Sequence, residues 1–285
     1  MNVERFATNI VLFGLVLFII KLYTGKLHEY SYTTKTLLPK VSVDNNGNTY
    51  GEYQRLVDTI QVNCENKTRC GPNSYSGYTV CMDRPYKPRT PCIVYSFGSN
   101  FMFGFEIDVL KKFKCEIHTF DPSSPVAGHH IPQSINFHLI GLSDTDSTNK
   151  LGWKMRKLSS IRKSLNHTDT ILDILKLDIE GYEWNAIQQV ISARSYTNIK
   201  QILLEFHFGK LEKNVYKYGY SMKKGDYWGD IKSSEQLKVL KQLYNSGFHV
   251  FYSSRVLHSR IKFPKSYNQS IFALNVISLV NTNLK

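Results

Sequence analysis

The chain has 285 residues, 42% hydrophobic and 13% aromatic, with a net charge of +13 and a pI near 9.4. This composition supports one sizeable core plus a tail and excludes a disordered chain. The basic balance favours acidic partners, but the lysines and arginines are scattered with no basic block interleaved with aromatics, so no nucleic-acid partner is expected.

The first element is apolar. Phe6 to Tyr23 contains the unbroken run Ile10–Ile20 and is long enough to cross a thin bilayer with Lys21 snorkelling to the interface. Lys21-Leu22-Tyr23-Thr24-Gly25 offers no A-x-A-like cleavage site. Residues 1–24 are therefore expected to be a transmembrane signal anchor, with a cleaved signal peptide and a secreted product as the alternative. Residues 25–50 are polar and read as a stem. Tyr53, Leu56, Val57 and Ile60 have helical spacing within Tyr50–Val62.

Residues 51–91 form a cysteine-rich extension that ends in Pro85, Pro88 and Pro91. In an oxidising compartment, Cys64, Cys70, Cys81 and Cys92 would staple it, with three pairings open. A zinc site is the alternative, although no C-x-x-C pair is present. Cys115, in a predicted strand, reads as a buried thiol. Three N-x-S/T sequons, at Asn66, Asn166 and Asn268, agree with a lumenal body.

From residue 92 onward, strands and helices alternate. Strands are predicted over Cys92–Phe97, Cys115–Phe120, Ile135–Ile140, Ile171–Leu177 and Gln201–Phe206. Helices are predicted over Met102–Phe113, Leu158–Leu165, Trp184–Ile191 and Glu235–Ser246, the last stopped by Gly247. Phe248–Tyr252 and Ile271–Leu279 follow with no helical pattern between them. Alternation predicts an α/β domain with a largely parallel sheet covered on both faces, and the final pair predicts an antiparallel hairpin.

Ligands of such sheets bind beyond the carboxyl ends of the strands. The first strand ends in Phe97-Gly98-Ser99-Asn100, where Gly98 permits a tight turn and close backbone approach. The G-x-G-x-x-G of a dinucleotide-binding oxidoreductase is absent. Asp121 ends the second strand, about 20 residues beyond the glycine, where a ribose would be gripped. Gly141-Leu142-Ser143-Asp144 ends the third and could close over an adenine, with Asp144 accepting from its amine. The fourth ends in Asp178-Ile179-Glu180-Gly181-Tyr182-Glu183. Asp178 and Glu180 there are placed to bind an amino group, a cation or a substrate hydroxyl, whereas Glu183 falls in a first helical turn and complements its dipole. Glu205 and His207 end the fifth. Glu205 would be a buried carboxylate, costly unless paired, and His207 is a candidate general base.

Together, Cys92–Gly98, Thr119-Phe120-Asp121-Pro122-Ser123, Gly141–Asp144, Trp153–Arg156, Leu158–Ile161 and Leu175–Trp184 resemble the methyltransferase-like family of animal secretory-pathway proteins, relatives of the FkbM-type methyltransferases. The resemblance implies that residues 92–285 form a class I methyltransferase domain: a Rossmann-like, seven-stranded sheet with S-adenosylmethionine in its cleft. By motif position, Phe97, Gly98, Ser99 and Asn100 would hold the methionine part, Asp121 the ribose, and Ser143 with Asp144 the adenine region. Asp178 would face the methyl-transfer site, with Glu180 or His207 as further candidate bases. A typical class I enzyme has an acidic residue in the first-strand motif where this chain has Ser96, so holding the cofactor's amino group falls to Glu106 or Asp178. The expectation is a single-pass type II membrane protein of the ER or Golgi, with its catalytic domain in the lumen. It would methylate a small-molecule or glycan acceptor at a hydroxyl or amine. The competing expectation is a methyltransferase fold that binds without turnover. The sequence sets no oligomeric state.

Overall fold

A computed structural model describes residues 49–73, 76–123, 128–207, 216–217, 233–262 and 271–284. The expected anchor (1–24), nearly all of the stem (25–50) and the Asn268 sequon lie outside the described residues. Among the described residues, no helix is long and apolar enough to cross a membrane.

The amino-terminal part contributes helix α1 (Thr49–Asp58) and the hairpin β1 (Lys67–Cys70) and β2 (Tyr78–Cys81). The alternating region follows as β3 (Ile93–Phe97), α2 (Gly104–Phe113), β4 (Glu116–Phe120) and β5 (Asn136–His138). Three short strands, β6 (Gly141–Leu142), β7 (Ser147–Thr148) and β8 (Lys154–Arg156), form a small sheet of their own. Then come α3 (Leu158–Ser164), β9 (Leu172–Leu177), α4 (Glu183–Ser192) and β10 (Ile199–His207). The chain closes with β11 (Tyr216–Lys217), α5 (Ser233–Asn245), β12 (Phe248–Arg255), β13 (Arg260–Lys262), β14 (Ile271–Phe272) and β15 (Leu274–Asn281).

Seven strands make the main sheet in the order β12-β15-β10-β9-β3-β4-β5. β10, β9, β3, β4 and β5 run parallel, and β15 inserts antiparallel between β10 and β12. The order reverses between β3 and β9, so a crevice opens where these neighbours end, at Gly98 and Asp178. Every residue of β3 and β9 is buried, which is why both read as nearly continuous apolar runs. Two buried polar residues interrupt β9. Asp173 accepts the Ile93 N–H (3.0 Å) and pairs with Lys200 Nζ (2.7 Å), tying together the starts of β3, β9 and β10. Lys176 serves the crevice.

The helix after β3 starts at Gly104 rather than Met102. Asn100 and Phe101 both take positive φ (44° and 56°), and Met102 N–H closes a turn onto the Ser99 carbonyl. The expected hairpin forms as β12 with β15 (Phe248↔Asn281 through Arg255↔Asn275). The small sheet β6-β8-β7 was missed, because strands of two or three residues carry no usable period.

The cysteine-rich extension shares the main core. Tyr53, Leu56, Val57, Cys70, Tyr78 and Val80 are buried in the same cluster as the central strands. The Gln201 side chain accepts the Cys81 N–H (2.8 Å) and donates to the Cys81 carbonyl (3.0 Å), splicing the hairpin onto β10.

The cysteine expectation requires correction. Cys64 bonds to Cys81 and Cys92 to Cys115, while Cys70 is a free, buried thiol. Strand register is the cause. β3 pairs with β4 from Ile93↔Glu116, so the preceding residues, Cys92 and Cys115, face each other with Cα atoms 4.7 Å apart. In the hairpin, Cys70 pairs with Tyr78, at the opposite end from Cys81, which pairs with Lys67 next to the Cys64 loop. Burial pushes the Cys70 thiol up to about 12.

Non-reducing peptide mapping is expected to recover Cys64–Cys81 and Cys92–Cys115, with Cys70 alkylated only after unfolding. Replacing Cys92 and Cys115 together by Ala should lower stability by about 2–4 kcal/mol, the usual effect of opening a loop of this size. A urea unfolding curve unchanged by the double substitution would contradict this.

Candidate active site

A cleft of about 460 Å³ opens at the carboxyl ends of β3, β4 and β9. One wall is the turn after β3. Gly98 has φ +79°, and a Cβ there would lie 1.7 Å from the Asp178 carbonyl oxygen, so only glycine lets the two strand ends approach this closely. The contact is held by the Asp178 N–H bonded to the Phe97 carbonyl (3.2 Å). Lys176 Nζ donates to the carbonyls of Gly98 (2.7 Å) and Phe97 (3.2 Å).

Glu106, in the first turns of α2, is buried and lines the cleft. Its Oε1 accepts from Ser96 Oγ at 2.5 Å, and its Oε2 has no hydrogen-bond partner among the described residues. Burial raises its pKa, against the lowering effects of Lys176 and the Ser96 hydrogen bond. Ser99 Oγ is likewise buried and without a partner among the described residues.

Asp121 lines the cleft with its carboxylate already engaged. Oδ2 accepts the Asn100 N–H (2.7 Å), and Oδ1 accepts the N–H (2.9 Å) and Oγ (2.5 Å) of Ser123. It therefore braces two cleft loops against each other, and lone pairs on Oδ2 are left for a ligand. Gly141, Leu142 and Met155 of the small sheet, with Trp153 just before β8, also line the cleft, as does Asn100. The lining includes Gly141 and Leu142 but neither Ser143 nor Asp144. Asp144 is exposed and accepts from Ser143 Oγ at 3.0 Å. Phe97 contributes its backbone carbonyl, while its ring stacks on Phe120 at 4.5 Å away from the cleft lining.

The β9 and β10 ends carry the charge. Asp178 lines the cleft: Tyr78 donates its hydroxyl proton to Oδ2 (3.0 Å), Lys176 Nζ stands 3.9 Å from Oδ2, and His207 Nε2 stands 4.0 Å from Oδ1. Glu180, at φ +54° and mostly exposed, brings Oε2 within 3.5 Å of His207 Nε2. Glu183 is fully buried and does much more than complement a helix dipole. It accepts the backbone N–H of Gly181 (2.9 Å) and of His207 (2.7 Å), and pairs with His207 Nδ1 (3.0 Å). Trp184 Nε1 donates to the His207 carbonyl (2.7 Å), completing the clamp.

Burial alone would make His207 harder to protonate. Glu183 first, then Glu205 and Asp178, overcome this and hold its pKa up at about 10. His207 is thus an imidazolium at neutral pH. Glu205, 8% exposed, is pushed up to about 8 by burial and by the Asp178 charge, so near neutrality it is largely protonated. The donor atoms of Asp178, Glu180 and His207 lie within 4.8 Å of one another. Lys176 and Tyr78 were not singled out from sequence. A lysine inside Ile174-Leu175-Lys176-Leu177 was the available signal, since a lysine buried in a strand needs anionic or carbonyl partners.

A seven-stranded sheet in this order, with a glycine turn and acidic strand ends around one cleft, defines a methyltransferase-type α/β domain. Residues 31–251 match the model of a family described as a methyltransferase domain, and the chain belongs to that family. It is 24% identical over 257 residues to human probable methyltransferase-like protein 24, covering 82% of this chain and 64% of that protein's length. It is also similar to the crystal structure of the methyltransferase FkbM from Methylobacillus flagellatus KT. That likeness has a TM-score of 0.37 and 13% identity, over 66% of this chain and 43% of that one. Similarity to M. capricolum TrmK in complex with S-adenosyl-homocysteine has a TM-score of 0.31 and 8% identity, over 68% and 64% of the two chains.

Gly98→Ala is expected to cost at least about 1–3 kcal/mol from backbone strain alone, with the clash at Asp178 added; thermal unfolding checks it, and an unchanged Tm would contradict the close approach. The raised values of His207 and Glu205 set a pH dependence. Each group binds its proton more tightly in the folded protein than in the unfolded chain. The His207 contribution is complete below about pH 6.5 and is lost as pH rises through about 10, and the Glu205 contribution is lost as pH rises through about 8. Stability should therefore fall as pH rises, the Glu205 part between about pH 4.5 and 8 and the His207 part between about pH 6.5 and 10. Glu205→Gln should flatten the part below about pH 8, and a profile identical to wild type there would contradict the assignment.

Proposed function

We propose that this chain is an S-adenosylmethionine-dependent methyltransferase whose own carboxylates prepare a hydroxyl or amine acceptor. One observation carries the reading: a buried carboxylate, Glu106, lines the cleft beside the Gly98 turn with one oxygen lacking any hydrogen-bond partner among the described residues. A buried, unsatisfied acceptor is costly, and a ligand's ammonium group would satisfy it. The residues thus fit the cofactor. Glu106, held by Ser96, takes the place of the missing first-strand acid. Ser99 and the Gly98 turn would hold the methionine part, Asp121 the ribose, and Leu142, Trp153 and Met155 the adenine.

When bound, S-adenosylmethionine supplies an electrophilic methyl group. The chain's contribution is to position the acceptor, exclude water and move a proton. Asp178 is the proton acceptor in this reading. Tyr78 and Lys176 orient it, and His207 neutralises it and Glu180. His207 itself, protonated and clamped by Glu183, is a positioning residue and holds no lone pair for a base at neutral pH.

The setting is proposed on separate grounds. Two disulfides and two exposed sequon asparagines, Asn66 and Asn166, support an oxidising, lumenal compartment, with residues 1–24 as the anchor. The basic chain favours acidic or sugar acceptors there.

With purified full-length protein, labelled S-adenosylmethionine and a panel of glycan acceptors, Asp178→Asn should lower methyl transfer by about 10²–10⁴-fold. Cofactor affinity should change little. Glu106→Gln should instead weaken cofactor binding by about ten- to a hundredfold, the worth of a charged hydrogen bond. Equal cofactor affinity in Glu106→Gln and wild type would contradict the amino-group role. Tight cofactor binding with no transfer to any acceptor would favour the non-catalytic binding protein.

A further inference from the structure

A second cluster of ligating side chains lies outside this cleft. Glu116 opens β4, and His118 follows two residues later on the same strand face. The turn after α3 brings His167 alongside. That turn is fixed by the His167 N–H to the Arg162 carbonyl (2.8 Å), and by the Arg162 guanidinium, which donates to the carbonyls of His167 and Thr170. Glu116 Oε1 is 2.8 Å from His118 Nε2 and 3.8 Å from His167 Nε2, and the three donor atoms lie within 4.8 Å of one another. None of these residues lines the methyl-transfer cleft.

The second nitrogens are organised as well. His118 Nδ1 faces His138 Nε2 at 2.9 Å, and His167 Nδ1 faces the Tyr95 hydroxyl at 2.8 Å. Both partners can donate or accept, so each ligand ring can present an Nε2 lone pair toward Glu116 while its Nδ1–H is held from behind. Outer partners of this kind fix ring tautomer and orientation at metal sites. Packing reinforces the arrangement, with ring centroids of His118 and His167 5.3 Å apart and Tyr95 against both.

We propose that Glu116, His118 and His167 form a zinc site with a solvent-facing open position. Two imidazoles and a carboxylate suit zinc, whose ligands stand about 2.0–2.2 Å from the ion and therefore about 3.4 Å from each other in a tetrahedron. The 2.8 and 3.8 Å separations bracket that value, and half-exposed Glu116 is free to adjust. Binding replaces the Glu116–His118 hydrogen bond with two bonds to the ion. The site pins the α3–β9 turn to the start of β4, beside the Cys92–Cys115 disulfide. It is a clamp at the end of β4 remote from Asp121.

The test uses the purified full-length chain, stripped with a chelator and titrated with zinc chloride by calorimetry, with thermal unfolding in parallel. One equivalent of zinc should bind and raise Tm, and cobalt(II) should give visible ligand-field absorption. Glu116→Gln and His167→Gln, both at partly exposed positions, should each weaken zinc binding by at least about tenfold, the usual scale for disturbing a metal site. They should keep the Tm of the stripped wild type. Asp178→Asn with Glu180→Gln should leave the zinc affinity unchanged. No zinc binding by the folded wild type would overturn the proposal. So would binding that survives Glu116→Gln and His167→Gln but is lost in the Asp178/Glu180 variant, which would move the ion to the cleft.

Discussion

The structure depends on the approach of two strand ends, Gly98 after β3 and Asp178 after β9. Their backbones touch where a Cβ would be forbidden, and the Lys176 ammonium bonds the carbonyls that the turn turns inward. Because the sheet reverses its order between these strands, this contact forms the floor of the crevice. The Gly98 turn, Glu106 and Asp178 take their places relative to it. An isolated glycine turn is a weak signal in a sequence, and its meaning here comes from what it is pressed against.

Charge balance is the second constraint. Asp178, Glu180, Glu183 and Glu205 converge at the ends of β9 and β10 and are met by Lys176 and His207. A buried carboxylate is tolerated only with partners or a proton. Glu183 has partners, two backbone N–H groups and the imidazolium, whereas Glu205 keeps its proton. Asp178 lines the cleft beside them, oriented by the Tyr78 hydroxyl. Glu106 is a separate case, with one oxygen accepting from Ser96 and the other without a hydrogen-bond partner among the described residues.

Much of the fold was legible because parallel strands buried on both faces read as apolar runs, and because the strand ends carry Gly98, Asp121 and Asp178. What stayed hidden was long-range. Cys92 and Cys115 meet only through the β3–β4 register, and Tyr78 reaches Asp178 from a hairpin whose packing no local pattern reports. Ser143 and Asp144 follow the lining residues Gly141 and Leu142 without joining them. Glu183, expected as a dipole complement, pairs with His207 only because the start of α4 packs against the end of β10. The Glu116–His118–His167 cluster was invisible for the same reason: three short-range-unremarkable residues become neighbours only when β4 and the α3–β9 turn are packed together.

The central claim is that a carboxylate from α2 replaces the missing first-strand acid in holding the cofactor. A crystal structure of the full chain with S-adenosylhomocysteine tests it most directly. The ligand's amino nitrogen is expected within about 2.7–3.2 Å of Glu106 Oε2, with the amino-acid end over the Gly98 turn. An amino group bound to Asp178 with Glu106 left unpaired, or a ligand outside this cleft, would contradict it.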